Sequence, residues 1–119
     1  MAALEHETAN RNRLQLWIAF DYGGRAELAD AARAMIVAGL GPDEIDEDVL
    51  AVYLYAPDMP DPDLVIRTSG EQRISNFLLW QLAYSELVFV DTLWPEFGEE
   101  DLRRAVAEYS GRRRRFGGR

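Results

Sequence analysis

Cysteine is absent from this 119-residue chain, which excludes a disulfide scaffold, thiolate chemistry and zinc–thiolate centres and fits a reducing, cytoplasmic compartment. Lysine is absent as well: all 13 basic residues are arginines, set against 21 acids for a net charge of −8. Such an acidic balance argues against a general nucleic-acid binder. No apolar run approaches the roughly 20 residues needed to span a bilayer, and the amino terminus lacks a signal-peptide core. A soluble chain is therefore expected. The single histidine, His6, lies in a polar lead and receives no role. The charge that is present is uneven: Arg112 to Arg115 and Arg119 crowd the end of the chain, while acids gather at Asp43 to Asp48 and Asp58 to Asp63. By itself a basic end reads as a solvated tail or one that touches a membrane surface.

What remains patterns as a single α/β domain over residues 1–119, with loosely ordered ends at 1–10 and 113–119; the lead reads as a loose segment or a short helix end. Leu14 to Phe20 alternates as a strand, and Gly23-Gly24 launches a helix over about Ala26–Ala38. That helix carries Leu28, Ala31, Ala32, Met35 and Ile36 on one face. Gly39 and Gly41 end it, with Pro42 blocking continuation. A second helix is predicted over about Asp46–Leu54, followed by a connector stiffened by Pro57, Pro60 and Pro62. Leu64 to Ile66 reads as a short buried strand, followed by a helix to about Tyr84. A strand at Leu87–Val90, a Trp94-Pro95 turn and a last helix near Glu99–Arg112 complete the order. Each strand is followed by a crossover long enough to return it, so a parallel sheet with flanking helices is expected. The carboxyl ends of its three strands, at Asp21, Arg67 and Asp91, would share one rim. Trp80, Leu82, Tyr84, Trp94 and Phe97 read as core or subunit interface, or alternatively as a stripe that binds an apolar ligand.

The most informative segment joins the strand 64–66 to the next helix through Arg67-Thr68-Ser69-Gly70-Glu71-Gln72-Arg73-Ile74-Ser75. Ligands collect outside the carboxyl ends of parallel strands, and the N–H groups of Ile74 and Ser75 would open a helix with partial positive charge. Two guanidinium forks suit a diphosphate, whose oxygens accept paired N–H bonds. The alternative is purely structural: Arg67 and Arg73 pair with Asp63 or Glu71 at the surface, and Ser75 serves as an N-cap.

The stretch DLVIRTSGEQRISNFLLWQLAYSELVFVDTLWPEF, residues 63–97, resembles the carboxyl-terminal half of a cis-prenyltransferase, the undecaprenyl diphosphate synthase family. Tyr22-Gly23-Gly24-Arg25 resembles the family's Asn-Tyr-Gly-Gly-Arg segment, and Arg114-Arg115-Phe116-Gly117-Gly118 its terminal Arg-x-Gly motif. The resemblance runs from about Thr8 to Gly118. It implies a partial undecaprenyl diphosphate synthase-like fold in which Arg67, Arg73 and Ser75, helped by the Ile74 backbone, hold the diphosphate of isopentenyl diphosphate. It implies further that Glu86 takes part in binding Mg2+ near that diphosphate, and that Arg115 and Gly117 reach the diphosphate region of a neighbouring subunit. Asp21 and Ser69 depart from the family's usual Asn and Gly. Nothing matches the family's His-x-Met-Asp-Gly-Asn-x-Arg-Trp segment, which carries its essential aspartate.

The implied activity is the condensation of isopentenyl diphosphate with an allylic prenyl diphosphate to give a Z-polyprenyl diphosphate. Little activity is expected from this chain alone. The implied assembly is a homodimer, or a heteromer with a chain bearing the amino-terminal half, with peripheral membrane contact through the product. A non-catalytic or regulatory partner subunit is the alternative, and a generic phosphate-binding module a third.

Overall fold

The computed structural model describes residues 2–112. Two short strands, β1 (Leu64–Arg67) and β2 (Glu86–Phe89), pair in parallel, with Leu64 opposite Glu86 and Arg67 opposite Phe89. Around them stand α1 (Ala2–Thr8), α2 (Gly24–Val37), α3 (Glu47–Val52) and α4 (Glu99–Gly111). The α/β class and the parallel pairing are as expected, and the lead is a short helix. A parallel pair needs a long return, and the segment 68–85 between β1 and β2 supplies it.

Local chemistry accounts for the helix ends. In α2 the C-terminal turn closes through Gly39, whose φ of +80° suits a residue without a Cβ. There the N–H groups of Gly39 and Leu40 return to the carbonyls of Ile36 and Met35, which satisfies carbonyls that the helix leaves open. Asp46 caps α3 by accepting from the Val49 N–H at 2.8 Å. Asp101 closes the first turn of α4, accepting from the Gly98 N–H at 3.0 Å and from the Thr92 hydroxyl at 2.9 Å. These two bonds hold its carboxyl below the usual carboxylate range, with the Gly98 bond the larger cause.

Three expectations are corrected. Leu14 to Phe20 forms no strand and pairs with none among the described residues, so the sheet has two strands there rather than three. The helix expected after Arg73 does not form: residues 73–84 are a chain of turns, with left-handed φ at Ser75, Asn76 and Leu78. The buried face of α2 is rotated from the one predicted, running through Gly24, Glu27, Ala31 and Met35 and leaving Ala32 and Ile36 exposed. The fully buried apolar residues are accordingly few, with Leu54, Leu82, Val88 and Ala105 completing the core.

Candidate anion-binding site

The loop leaving β1 is pinned to its neighbours before any ligand is considered. Ser69 and Gly70 donate their N–H groups to the carbonyls of Thr92 and Val90, both at 2.9 Å, which ties the ends of β1 and β2 together. Further on, the Gly24 N–H donates to the Asn76 carbonyl at 2.7 Å and the Arg25 N–H to Asn76 Oδ1 at 2.9 Å. The loops expected to meet at one rim therefore meet through residues 69–76. Gly24 has no room for a side chain: a Cβ would stand 2.6 Å from Leu79 Cγ and 3.1 Å from the Asn76 carbonyl oxygen.

Under this loop lies a cavity of about 110 Å³ lined by Val65, Ile66, Arg67, Arg73, Ile74, Phe77, Leu82, Leu87 and Phe89. Both arginines singled out from the sequence and Ile74 thus border one space, whose remaining walls are apolar. Ser75 is exposed and is not part of that lining. Arg73 pairs with Glu71, as the structural alternative anticipated, while Arg67 has no carboxylate partner among the described residues. The Arg73–Glu71 pair is largely exposed, 63% and 40% at the two side chains. Exposed pairs of this kind contribute about 0–1 kcal/mol, whereas each hydrogen bond to a charged ligand group contributes about 1.5–3 kcal/mol. A diphosphate would therefore displace Glu71. With no helix opening at Ile74, the anion field comes from two guanidiniums and loop N–H groups; those of Ile74 and Ser75 donate to no backbone carbonyl among the described residues.

Glu86 stands elsewhere. It begins β2 opposite Leu64, three residues back from the Arg67–Phe89 pair, so about 10 Å of strand separates it from the arginine rim. Its carboxylate accepts from Arg112 at 3.0 Å, and Arg112 also donates to the Leu87 carbonyl at 2.8 Å and to Glu108. Among the described residues no group of three acids, histidines or cysteines stands together as a metal site. Glu86 is thus a single carboxylate, already bonded to Arg112, and Mg2+ held there would need its other ligands from phosphate oxygens and water. Arg115 and Gly117 lie outside the described residues.

A second polar cluster was not anticipated from the sequence. Glu27 is 1% exposed on the core side of α2. It accepts from the Tyr22 hydroxyl, from the Tyr55 N–H at 3.1 Å and from Gln81 Nε2 at 3.2 Å. Burial, then the hydrogen bond and charge of Glu27, push the Tyr22 phenol well above its ordinary range. The Tyr22 ring also meets the Phe77 ring edge-on at 5.7 Å, so the cluster touches the wall of the arginine cavity. A glutamate in the first turn of a helix reads as a solvent-facing, dipole-favoured acid; only the tertiary packing turns this one inward.

Comparison with known proteins shows the family that the motifs resemble. The prenyltransferase family model for undecaprenyl diphosphate synthase matches residues 1–117. Isoprenyl transferase 1 of Streptomyces coelicolor is 55% identical over 118 residues, covering 96% of this chain and 43% of that protein. A ditrans,polycis-undecaprenyl-diphosphate synthase of Xanthomonas axonopodis, named as (2E,6E)-farnesyl-diphosphate specific, is 54% identical over 121 residues, 98% of this chain and 47% of that one. Among solved structures, lavandulyl diphosphate synthase from Lavandula x intermedia, in complex with dimethylallyl diphosphate, superposes with a TM-score of 0.91 at 41% identity. The match covers 98% of this chain and 52% of that one. The chain thus spans about half the length of the curated relatives it matches.

Proposed function

The chain belongs to the undecaprenyl diphosphate synthase family, and from this we infer that it is the isopentenyl-diphosphate-holding part, the carboxyl-terminal half, of a cis-prenyltransferase. The observation that carries the reading is the convergence of Arg67, Arg73 and Ile74 on one cavity whose other walls are apolar. The guanidiniums would take the diphosphate at the rim and the apolar wall the five-carbon group, a division that suits an amphipathic substrate. Ser75, on the same loop but outside the lining, would add its hydroxyl to the diphosphate.

The reaction joins two diphosphates. The C=C electron pair of isopentenyl diphosphate attacks C1 of the allylic diphosphate, the bond from that carbon to the diphosphate oxygen breaks, and inorganic diphosphate leaves. Loss of a proton from the former isopentenyl unit then restores neutrality and sets a Z double bond. What this chain contributes is position: fixing the nucleophile's diphosphate removes translational and rotational freedom that the collision would otherwise have to lose. The relatives named above for farnesyl diphosphate specificity and for bound dimethylallyl diphosphate support an allylic partner of this class. Mg2+ would supply charge neutralisation at the diphosphate oxygens. If Glu86 is a ligand it is a single one, and the other ligands must come from phosphate oxygens, water or another chain. Arg115 and Gly117 remain proposed contacts to a neighbouring subunit's diphosphate region.

Calorimetry with isopentenyl diphosphate tests the reading. Wild-type chain is expected to bind, and Arg73→Ala to bind about 10–100-fold more weakly, since one or two charge-assisted bonds are lost. Equal affinity in that variant would overturn the assignment. The alternative of a non-catalytic partner subunit is favoured by the bare apolar segment 14–20. It predicts a stoichiometric second chain on purification from the native source.

A further inference from the structure

Helix α2 begins with a residue that has no side chain to cap it. Gly23 occupies the N-cap position in extended geometry and makes no side-chain cap bond. The first N–H groups of the helix find their acceptors far along the chain, where Asn76 takes the Gly24 N–H on its carbonyl and the Arg25 N–H on Oδ1. An N-cap side chain ordinarily accepts from the second or third helical N–H of its own helix. Here Asn76 fills that place from another segment. Its φ of +64° is left-handed, a region that asparagine enters more easily than most residues. The same carbonyl would accept from Trp80 if the segment were helical; here it accepts from Gly24, and residues 73–84 stay in turns.

We propose that Asn76 is a positioning residue for the diphosphate loop: by capping α2 from outside, it fixes the backbone three residues beyond Arg73 and so sets where that guanidinium and Ile74 meet the cavity. The inference rests on the reading of Arg67 and Arg73 as diphosphate ligands and goes beyond it, since Asn76 is not among the residues that line the cavity. The contact between Tyr22 and Phe77 and the close approach of Gly24 to Leu79 run along the same seam, so the loop is held at several points and the two hydrogen bonds set its register.

Three variants of the full chain decide it. Asn76→Gly keeps the left-handed backbone and the carbonyl while deleting Oδ1; Asn76→Asp restores an acceptor oxygen; Arg73→Ala removes the ligand group. Hydrogen exchange should show the Arg25 amide losing protection in Asn76→Gly and regaining it in Asn76→Asp. Calorimetry with isopentenyl diphosphate should show affinity falling about fivefold or more in Asn76→Gly and staying within about twofold of wild type in Asn76→Asp. In the Arg73→Ala background, Asn76→Gly should cost little further affinity, because its effect runs through Arg73. If Asn76→Gly loses Arg25 protection yet binds like wild type, Asn76 is only a cap and the proposal is overturned. Additive weakening by the two substitutions would overturn it too. If wild-type chain fails to bind at all, the substrate reading falls first and the proposal with it, and Arg25 protection still reports whether Asn76 caps α2.

Discussion

At the scale of single residues, the departures from the family pattern have measurable costs. Ser69 sits at φ +70°, next to Gly70 at +67°, in the turn whose N–H groups bridge to Thr92 and Val90. A residue with a Cβ loses about 1–2 kcal/mol in that region, and glycine does not. Ser69→Gly is therefore expected to raise stability by about 0.5–1 kcal/mol, offset in part by the entropy of a freer unfolded chain; the midpoint of urea unfolding measures it. Asp21, at φ +49°, belongs to the short list of side chains that tolerate the left-handed region, so its replacement of asparagine is mild. Tyr22 gives a pH signature. Its phenol is raised in the fold by burial and by Glu27, so it stays protonated where the phenol of an unfolded chain, with its ordinary value near 10, ionises. The stabilisation is fully present below about pH 10 and is lost as pH climbs beyond it. Wild-type chain should lose urea resistance between about pH 9 and 11 more steeply than Tyr22→Phe, and equal slopes would show that Tyr22 contributes nothing to the pH dependence.

At the scale of elements, the segment 73–84 is instructive. Ile74, Phe77, Leu78, Leu82 and their neighbours space as a helix, and no proline interrupts them. Yet its backbone turns left-handed three times, because the loop must bring Asn76 onto the start of α2 and Leu79 onto Gly24. Tertiary contacts here override a local period. The tightest of them is the approach of Gly24, where a methyl group would strike both a side chain and backbone. Gly24→Ala should destabilise the chain by about 1–3 kcal/mol, read from chemical denaturation, and weaken isopentenyl diphosphate binding with it. The apolar set read alternatively as a ligand stripe is scattered: Leu82 is buried, Tyr84 and Trp94 are exposed, and Trp94 stacks on Phe97 at 6.1 Å.

At the scale of the whole molecule, the chain is less compact than its length would allow. Its radius of gyration is 17.1 Å, against about 13.5 Å expected for a globular domain of this size. Leu14, Leu16 and Phe20 are 81%, 77% and 72% exposed on a segment without assigned secondary structure. Apolar residues exposed on an unpaired segment invite association. Purified chain is expected to self-associate with rising concentration, and Leu16→Glu to shift it towards monomer; sedimentation velocity measures both, and a concentration-independent monomer would refute the expectation. No helix among the described residues is long and apolar enough to cross a membrane.

Much of the local structure was legible because it depends on neighbours in sequence: the Gly39 stop of α2, the Asp46 cap, the boundaries of α4 and the placing of Arg67 at a strand end. The pairing of Arg67 and Arg73 on one cavity was legible for the same reason, since a short loop keeps them together. What the tertiary structure alone decided is long-range. Glu27 turns into the core because Tyr22, Gln81 and the Tyr55 backbone surround it. Asn76 caps a helix that begins in a distant part of the chain, and Leu14–Phe20 stays exposed because no described strand lies alongside to pair with it. Periodicity and capping signals are short-range by nature, whereas a buried carboxylate, a borrowed cap and an unpaired apolar segment depend on which distant segments meet.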